Sequence, residues 1–350
     1  MKKKLTINDI ALQAGVSKTT VSFYLNGKYN RMSEETRARI ARVIGQADYH
    51  PSMLARSLSS RQTHLLGVLV GRIDGDVCGQ EITGISDQAE ACGYQIIVSA
   101  SSYVLEKEQQ KIRAMAGMGA DGFIVRPSSY FEAMWQELGL GRPAVLLDSP
   151  NPAGDGLWVK ANHFEAVYQA MQDLADRGYE EFVMITPELQ DRISRIERSR
   201  GFEECMKERK LPHRIITVSE EISEEEMRGL LQPYLSRKQR TLLFVSSRRL
   251  LARAYLAARG NSERTPDPDA LGLIGLDSLA WTGMVSPSVT TIVRPAYEEG
   301  RTAARILIDR IEGRNQEAPN WILPCRVNEM ESTGRKADQT AVPSSALPIE

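Results

Sequence analysis

The sequence predicts an α/β fold: a small three-helix unit carrying a helix-turn-helix, then a two-lobed, doubly wound core. Three observations predict it. Apolar residues recur at helical spacing in short segments before residue 50, from Ile7 to Ala47. From Leu65 onward, short apolar runs alternate with amphipathic stretches, the pattern of a parallel sheet covered on both faces. That alternation occurs twice in succession, which calls for two sheets.

The first two helices are written in residues 7–27. Ile7, Ile10, Ala11 and Ala14 fall at i, i+3, i+4 and i+7, one face of a helix. Gly15 supplies the left-handed turn. Ser17 is a good N-cap for a second helix, which Val16, Val21 and Leu25 can pack against the first. Its outer face keeps Lys18, Thr19, Ser22 and Asn26, with Thr20 toward the phosphate side: short donors and one cation, suited to phosphate oxygens and base edges. Taken alone, an ordinary helical hairpin with a polar face would look the same. A third helix starts after Ser33, with Glu34 and Glu35 at its positive end and Ile40, Val43, Ile44 and Ala47 as its core stripe. Pro51 stops it, and residues 53–58 are too few to bury anything alone.

The order AspIleAla, AlaGlyValSer, ThrValSer, ThrArg, TyrHisPro and LeuAlaArgSerLeu, at fixed spacing between residues 9 and 58, resembles the headpiece of the LacI/GalR family of bacterial transcription regulators. The resemblance runs on to about Met330. It implies a homodimer on double-stranded DNA, at a palindromic operator, as a regulator (a repressor) of carbohydrate catabolism genes. Contacts would come from Thr6, Ser17, Lys18, Thr19, Thr20, Ser22, Phe23, Asn26, Tyr49, Ala55 and Leu58. A hinge helix over 53–58 would fold on DNA, with Leu58 opening a base step in the minor groove. The expected boundaries are 1–50 for the headpiece, 51–61 for the hinge, 62–330 for the core and 331–350 for a flexible tail. Two details are particular to this chain. The segment GlyLysTyrAsnArgMetSer (27–33) is slightly longer than in the lactose-repressor pattern and resembles the fructose and sucrose repressor branch. Phe23 stands where many relatives carry arginine, so it cannot make a bidentate guanine contact; it can meet a thymine methyl or pack inward beside Tyr24.

Charge agrees. Residues 1–61 hold eleven cations and four carboxylates, a net +7, and the whole chain at −1 leaves −8 for the rest. A basic headpiece on an acidic body is the footprint of a DNA reader whose other part should avoid DNA. The start MetLysLysLysLeu has no apolar run behind it, so no secretory signal is expected, and no segment approaches membrane-spanning length. Cys78, Cys92, Cys205 and Cys325 are isolated, as in a reducing cytoplasm, and His50, His64, His163 and His213 form no metal spacing. Neither metal nor cofactor is expected.

In the core, strands are predicted at 65–70, 95–99, 122–125 and 144–147, then at 181–185, 214–218, 241–245 and 271–275. Helices are predicted at about 79–92, 106–118 and 130–138, then at 164–177, 198–210, 223–235 and 248–259. The resemblance implies a periplasmic-binding-protein-like core crossed near Asn162, Ile292 and Trp321. The N-lobe would hold 62–161 and 293–321, and the C-lobe 162–292 and 322–330. An effector would sit between the lobes at the strand ends.

Three residues match the family's ligand site, Asp277, Arg198 and Asp148; the competing reading for each is a salt bridge, which stands even with the ligand reading only at Asp148. The chain departs from the neutral-sugar pattern. Ser246, Ser247, Arg248 and Arg249 follow one strand where many relatives carry AsnAsp, while Arg72, Arg126 and Arg294 stand at other strand ends. Arginine suits bidentate capture of carboxylate or phosphate. The expected effector is therefore an anionic sugar derivative, a sugar acid or sugar phosphate, met by Arg72, Arg126, Asp148, Arg198, Ser247, Arg248, Asp277 and Arg294. The alternatives are a neutral sugar effector, pairing of some arginines with Asp74, Asp76 or Asp148, or a solute-binding protein of transport or chemoreception. No P-loop, nucleophile elbow or GxGxxG pattern is present, so an enzyme is not expected.

Overall fold

The computed structural model describes residues 5–25, 27–47, 62–128, 131–149, 156–189, 192–235, 239–259, 270–276, 279–314 and 320–334. Two compact units emerge, dividing between His64 and Leu65. Asn26, Tyr49, Ala55, Leu58 and Asp277, the hinge segment 51–61, and residues 335–350 lie outside the described residues.

The first unit holds α1 (Ile7–Ala14), α2 (Lys18–Leu25) and α3 (Glu34–Ala47). Thr6 caps α1 in a reciprocal capping box with Asp9, and Gly15 ends it at φ 62°. Ser17 Oγ accepts from the Thr20 amide at 3.1 Å, and Ser33 Oγ from the Thr36 amide at 3.2 Å, so both predicted caps are formed. Ile10, Ala11 and Val21 form the core, with Val16, Leu25, Val43 and Ile44 packed around them. Residues 27–33 are tied down by an aromatic pair: Tyr24 meets Tyr29 edge-on at 5.7 Å, and the Arg37 guanidinium lies 3.9 Å over the Tyr29 ring.

The second unit contains two six-stranded sheets. In chain order its elements are β1 (Leu65–Val70), α4 (Asp76–Ala91), β2 (Gln95–Ala100), α5 (Leu105–Gly117), β3 (Gly122–Val125), α6 (Phe131–Leu138), β4 (Ala144–Leu147) and β5 (Leu157–Ala161). Then follow α7 (His163–Asp176), β6 (Glu181–Pro187), α8 (Ile193–Arg209), β7 (His213–Val218), α9 (Glu224–Leu235), β8 (Thr241–Val245), α10 (Arg248–Arg259), β9 (Leu271–Leu276), α11 (Leu279–Thr282), β10 (Thr290–Val293), α12 (Ala296–Ile311), β11 (Trp321–Leu323) and β12 (Arg326–Asn328). The first sheet runs β11-β5-β4-β3-β1-β2 and the second β12-β10-β9-β8-β6-β7. All pairings are parallel except that of β12 with β10.

Burial on both faces explains the uninterrupted apolar strands. Along β1, Leu66, Val68 and Val70 join a core with Ile85, Ala303 and Leu307, while Leu69 faces the other way onto Ile112, Met115 and Phe123. In the second sheet Phe182 and Met184 pack on Met171 and Phe202, and Val183 and Ile185 on Met227 and Leu231. Helices α4 and α12 approach unusually closely: a Cβ on Gly84 would lie 2.0 Å from the Tyr297 carbonyl oxygen, and one on Gly300 2.1 Å from that of Glu81.

Every predicted strand is present, but β5, β10, β11, β12, α11 and α12 were not foreseen as elements. Two boundaries are corrected. All of β11, Trp321 to Leu323, pairs with β5, so the third crossover falls after Leu323 and not at Trp321. The expected tail at 331–350 begins too early: Glu331–Thr333 is a 3₁₀ turn with Ser332 and Thr333 buried. Ser332 Oγ accepts from the Thr290 amide at 2.9 Å, and Thr333 Oγ1 lies 2.8 Å from Thr290 Oγ1.

Candidate functional site

On the helical unit, the exposed start of α2 carries Lys18 and Thr19. The other predicted contact residues there are partly occupied. The Ser17 and Thr20 hydroxyls share a hydrogen bond at 2.9 Å, and the Thr6 hydroxyl donates to Asp9 at 2.7 Å. Ser22 and Phe23 are half-buried.

In the second unit a cavity of about 530 Å³ opens between the two sheets. It lies at the carboxyl ends of β1, β3, β4, β8 and β9 and the N-terminus of α8. Arg72, Arg126, Asp148, Arg198, Ser247, Arg248 and Arg294 all line it, so the structure brings together seven of the eight predicted effector residues. Glu81, Tyr103, Arg192, Arg195 and Glu220 also line it and were not foreseen, and Ser246, noted in the sequence only as a departure from the neutral-sugar pattern, lines it too. One signal was available for the arginines: 192, 195 and 198 recur at helical spacing.

Its deep end is a buried charge network. Arg126 pairs with Glu81 and, at 2.8 Å, with Asp148. Arg294 reaches Glu81 at 3.2 Å, Asp148 at 3.6 Å and Glu299 at 3.6 Å. Asp148 also meets His163 Nε2 at 2.7 Å. Burial alone would raise the Asp148 pKa, but His163, Arg126 and Arg294 hold it well below the usual carboxylate range. Glu299, fully buried and making no hydrogen bond through its carboxyl oxygens, is pushed up by burial to about 8. The loop after β3 is held by Glu108, whose two carboxylate oxygens accept from the Ser128 amide at 2.9 Å and the Ser128 hydroxyl at 2.8 Å.

The mouth is arranged differently. Ser102 and Tyr103 both hold left-handed backbone, φ 56° and 61°, a conformation side-chain-bearing residues rarely adopt. It presents the Tyr103 ring to Arg192, whose guanidinium lies 3.9 Å above it from the other lobe. Arg195 pairs with Glu220 at 2.7 Å. Burial, reinforced by repulsion from Arg192, lowers the Arg195 pKa, though a guanidinium remains charged at neutral pH. Arg198 donates to the carbonyls of Ser194 and Ser246, both at 2.8 Å. Arg72 grips Asp74 with two bonds of 2.9 Å, as the competing salt-bridge reading allowed. The Ser246 hydroxyl is buried without a hydrogen-bond partner.

Eight arginines line the cavity against four carboxylates, Asp74, Glu81, Asp148 and Glu220. Each of these carboxylates is already engaged by arginine. Among the described residues, no carboxylate lies within salt-bridge distance of Arg192 or Arg248. Such a lining suits an anion. Among the described residues there is no group of side chains arranged to hold a metal ion, and no helix is long and apolar enough to cross a membrane.

Comparison with known proteins agrees with this layout. Residues 6–52 match the bacterial regulatory proteins of the lacI family, and residues 171–333 match a periplasmic binding protein-like domain. The chain is 30% identical over 318 residues to the HTH-type transcriptional repressor PurR of Edwardsiella ictaluri, covering 89% of this chain and 92% of that one. It is 29% identical over 330 residues to the HTH-type transcriptional regulator PtxS of Pseudomonas aeruginosa, covering 94% and 96%. Its fold is similar to that of the Lac repressor dimer bound to operator and an anti-inducer, with TM-score 0.81, 20% identity, and 95% and 99% of the two chains covered.

Proposed function

The chain belongs to the lacI family of bacterial regulatory proteins and is a DNA-binding transcriptional regulator, and we propose that its effector is an anionic sugar derivative, a sugar acid or sugar phosphate, bound between the two lobes. The arginine excess of the cleft carries this reading. In a partly enclosed site a guanidinium without a carboxylate is incompletely compensated, and a carboxylate or phosphate entering there gains charge-assisted, bidentate hydrogen bonds. Glu81 and Asp148 at the deep end can accept from sugar hydroxyls, while Arg192, Arg195, Arg198 and Arg248 face the anionic group. Asp277 would join them from the end of β9.

On DNA, we assign base reading to Lys18, Thr19 and Ser22 in successive major grooves of a palindromic site bound by a homodimer. Thr6, Ser17 and Thr20 would support the backbone contacts, with Asn26, Tyr49, Ala55 and Leu58 completing the interface. Coupling of roughly 1–3 kcal/mol between the sites is enough to bias a hinge that folds on DNA. The regulated genes would serve carbohydrate catabolism.

A thermal-shift titration of the full chain with sugar acids, sugar phosphates and neutral sugars tests the effector class. Stabilisation by an anionic sugar at concentrations where its neutral counterpart is silent supports the reading. Stabilisation by a neutral sugar only would overturn it.

A further inference from the structure

Asp74, in the loop between β1 and α4, meets three arginines, two of which join it to the other lobe. Arg72, on its own lobe, holds the carboxylate with two bonds of 2.9 Å. Arg249 reaches across from the other lobe to Asp74 Oδ2 at 2.6 Å, and Arg248 donates to the Asp74 carbonyl at 2.7 Å. The approach of Arg248 requires the next residue to be glycine. Gly75 holds φ 115°, and a Cβ there would lie 1.8 Å from the Arg248 guanidinium. These arginines hold Asp74 strongly acidic, chiefly through the hydrogen bonds from Arg72.

The two aspartates of the cleft differ in how readily they can let go. Asp148 is 6% exposed and bound by Arg126 and His163, so freeing it would strand buried charges. Asp74 is 51% exposed, and its released carboxylate would pass into water at little cost. Its arginines line the same cavity as Arg192 and Arg195.

We propose that Asp74 is a specificity-determining residue that acts as an internal competitor, its carboxylate holding Arg72 and Arg249 until an anionic effector takes them over. This rests on the anionic-effector reading and deepens it. Entry of an anion becomes an exchange of one carboxylate or phosphate for another. A neutral ligand cannot make that exchange. Opening of the Asp74 contact and filling of the cleft are then one event, with Arg248 and Arg249 shared between them.

The test compares the full-length wild type with Asp74→Asn and Asp74→Ala by isothermal titration, using gluconate, inorganic phosphate and neutral glucose as probes. Thermal melting without ligand checks that each variant is folded. Both variants should bind gluconate or phosphate about threefold or more tightly than wild type, the scale of losing a weak exposed ion pair, and should leave glucose binding unchanged. Weaker binding of the anions would make Asp74 a direct ligand contact and overturn the proposal, and equal binding would overturn it too. Binding of glucose alone by all three chains would instead overturn the anionic-effector reading, and the competitor role with it.

Discussion

Asp148 Oδ1 lies 2.7 Å from His163 Nε2, which ties the end of β4 to the first residue of α7, just past the first crossover between lobes. The same carboxylate accepts from Arg126 at 2.8 Å and lies 3.6 Å from Arg294, which follows the second crossover strand. A ligand anion that draws on Arg126 or Arg294 therefore draws on the charges that fix two crossovers. The cleft lining and the two crossovers share one buried network.

Loss of Asp148 should be costly for that reason. Asp148→Ala leaves Arg126 and Arg294 with one carboxylate fewer and takes the aspartate partner from His163, and removing one partner of a buried ion pair costs about 3–5 kcal/mol. Urea unfolding followed by circular dichroism should show a loss of that size. A loss below about 1 kcal/mol, the range of exposed pairs, would mean that the network is not held as described.

Glu299 sets a pH dependence of opposite sign to an ordinary buried ion pair. Its folded pKa, about 8, lies above the usual value of 4.5, so the folded state holds a proton that the unfolded chain releases. This group's contribution therefore favours folding most at low pH and falls as pH rises from about 4.5 to about 8. Glu299→Gln, which mimics the protonated form, should remove that slope and stabilise the chain by a few kcal/mol above pH 8. Asp148 works the other way, its stability being lost as pH falls below the ordinary carboxylate range. Stability measured across pH in wild type and variant separates the two, and an unchanged slope in Glu299→Gln would contradict the assignment.

The contact between α4 and α12 should not tolerate a methyl group. Gly300→Ala would drive a Cβ to 2.1 Å from the Glu81 carbonyl oxygen, at a cost of about 1–3 kcal/mol or more from overpacking. Because Glu81 bonds Arg126 and Arg294, the displacement should also weaken effector binding. A melting curve and a ligand titration on one sample check both effects.

On DNA, Lys18→Ala should weaken binding to the preferred sequence by about 1–3 kcal/mol and relax specificity at the base pair it reads, with little effect on non-specific binding. Phe23→Arg should instead change which sequence is preferred, favouring guanine at one position by about 1–3 kcal/mol. Fluorescence anisotropy over a range of salt, with an operator library, distinguishes the two. A preference left unchanged by Phe23→Arg would show that this position turns away from the bases.

Most of the strands were legible because strands buried on both faces leave apolar runs such as LeuLeuGlyValLeuVal, 65–70. The short edge strands were not. Trp321 to Leu323 and Arg326 to Asn328 are three residues each and largely exposed, so they carry no distinctive periodicity. Helix α12 escaped because its buried face is built partly of Gly300, Thr302, Ala303 and Ala304, small residues chosen for close approach to α4. In the cleft, strand-end arginines were visible as departures from a known pattern. Their partners were not: Glu81 lies one turn into a helix, and Tyr103 enters only through a left-handed turn that sequence does not announce.

Control of DNA binding by an anion in this cleft is the link proposed between the two ends of the chain. The most direct test is fluorescence anisotropy of the full chain on DNA selected from random sequence, titrated with sugar acids, sugar phosphates and neutral sugars at fixed salt. One anionic sugar should shift DNA affinity by about 5–150-fold, and Arg248→Ala should abolish the shift while leaving DNA binding without ligand intact. A shift produced by a neutral sugar alone, or one that persists in Arg248→Ala, would contradict that link.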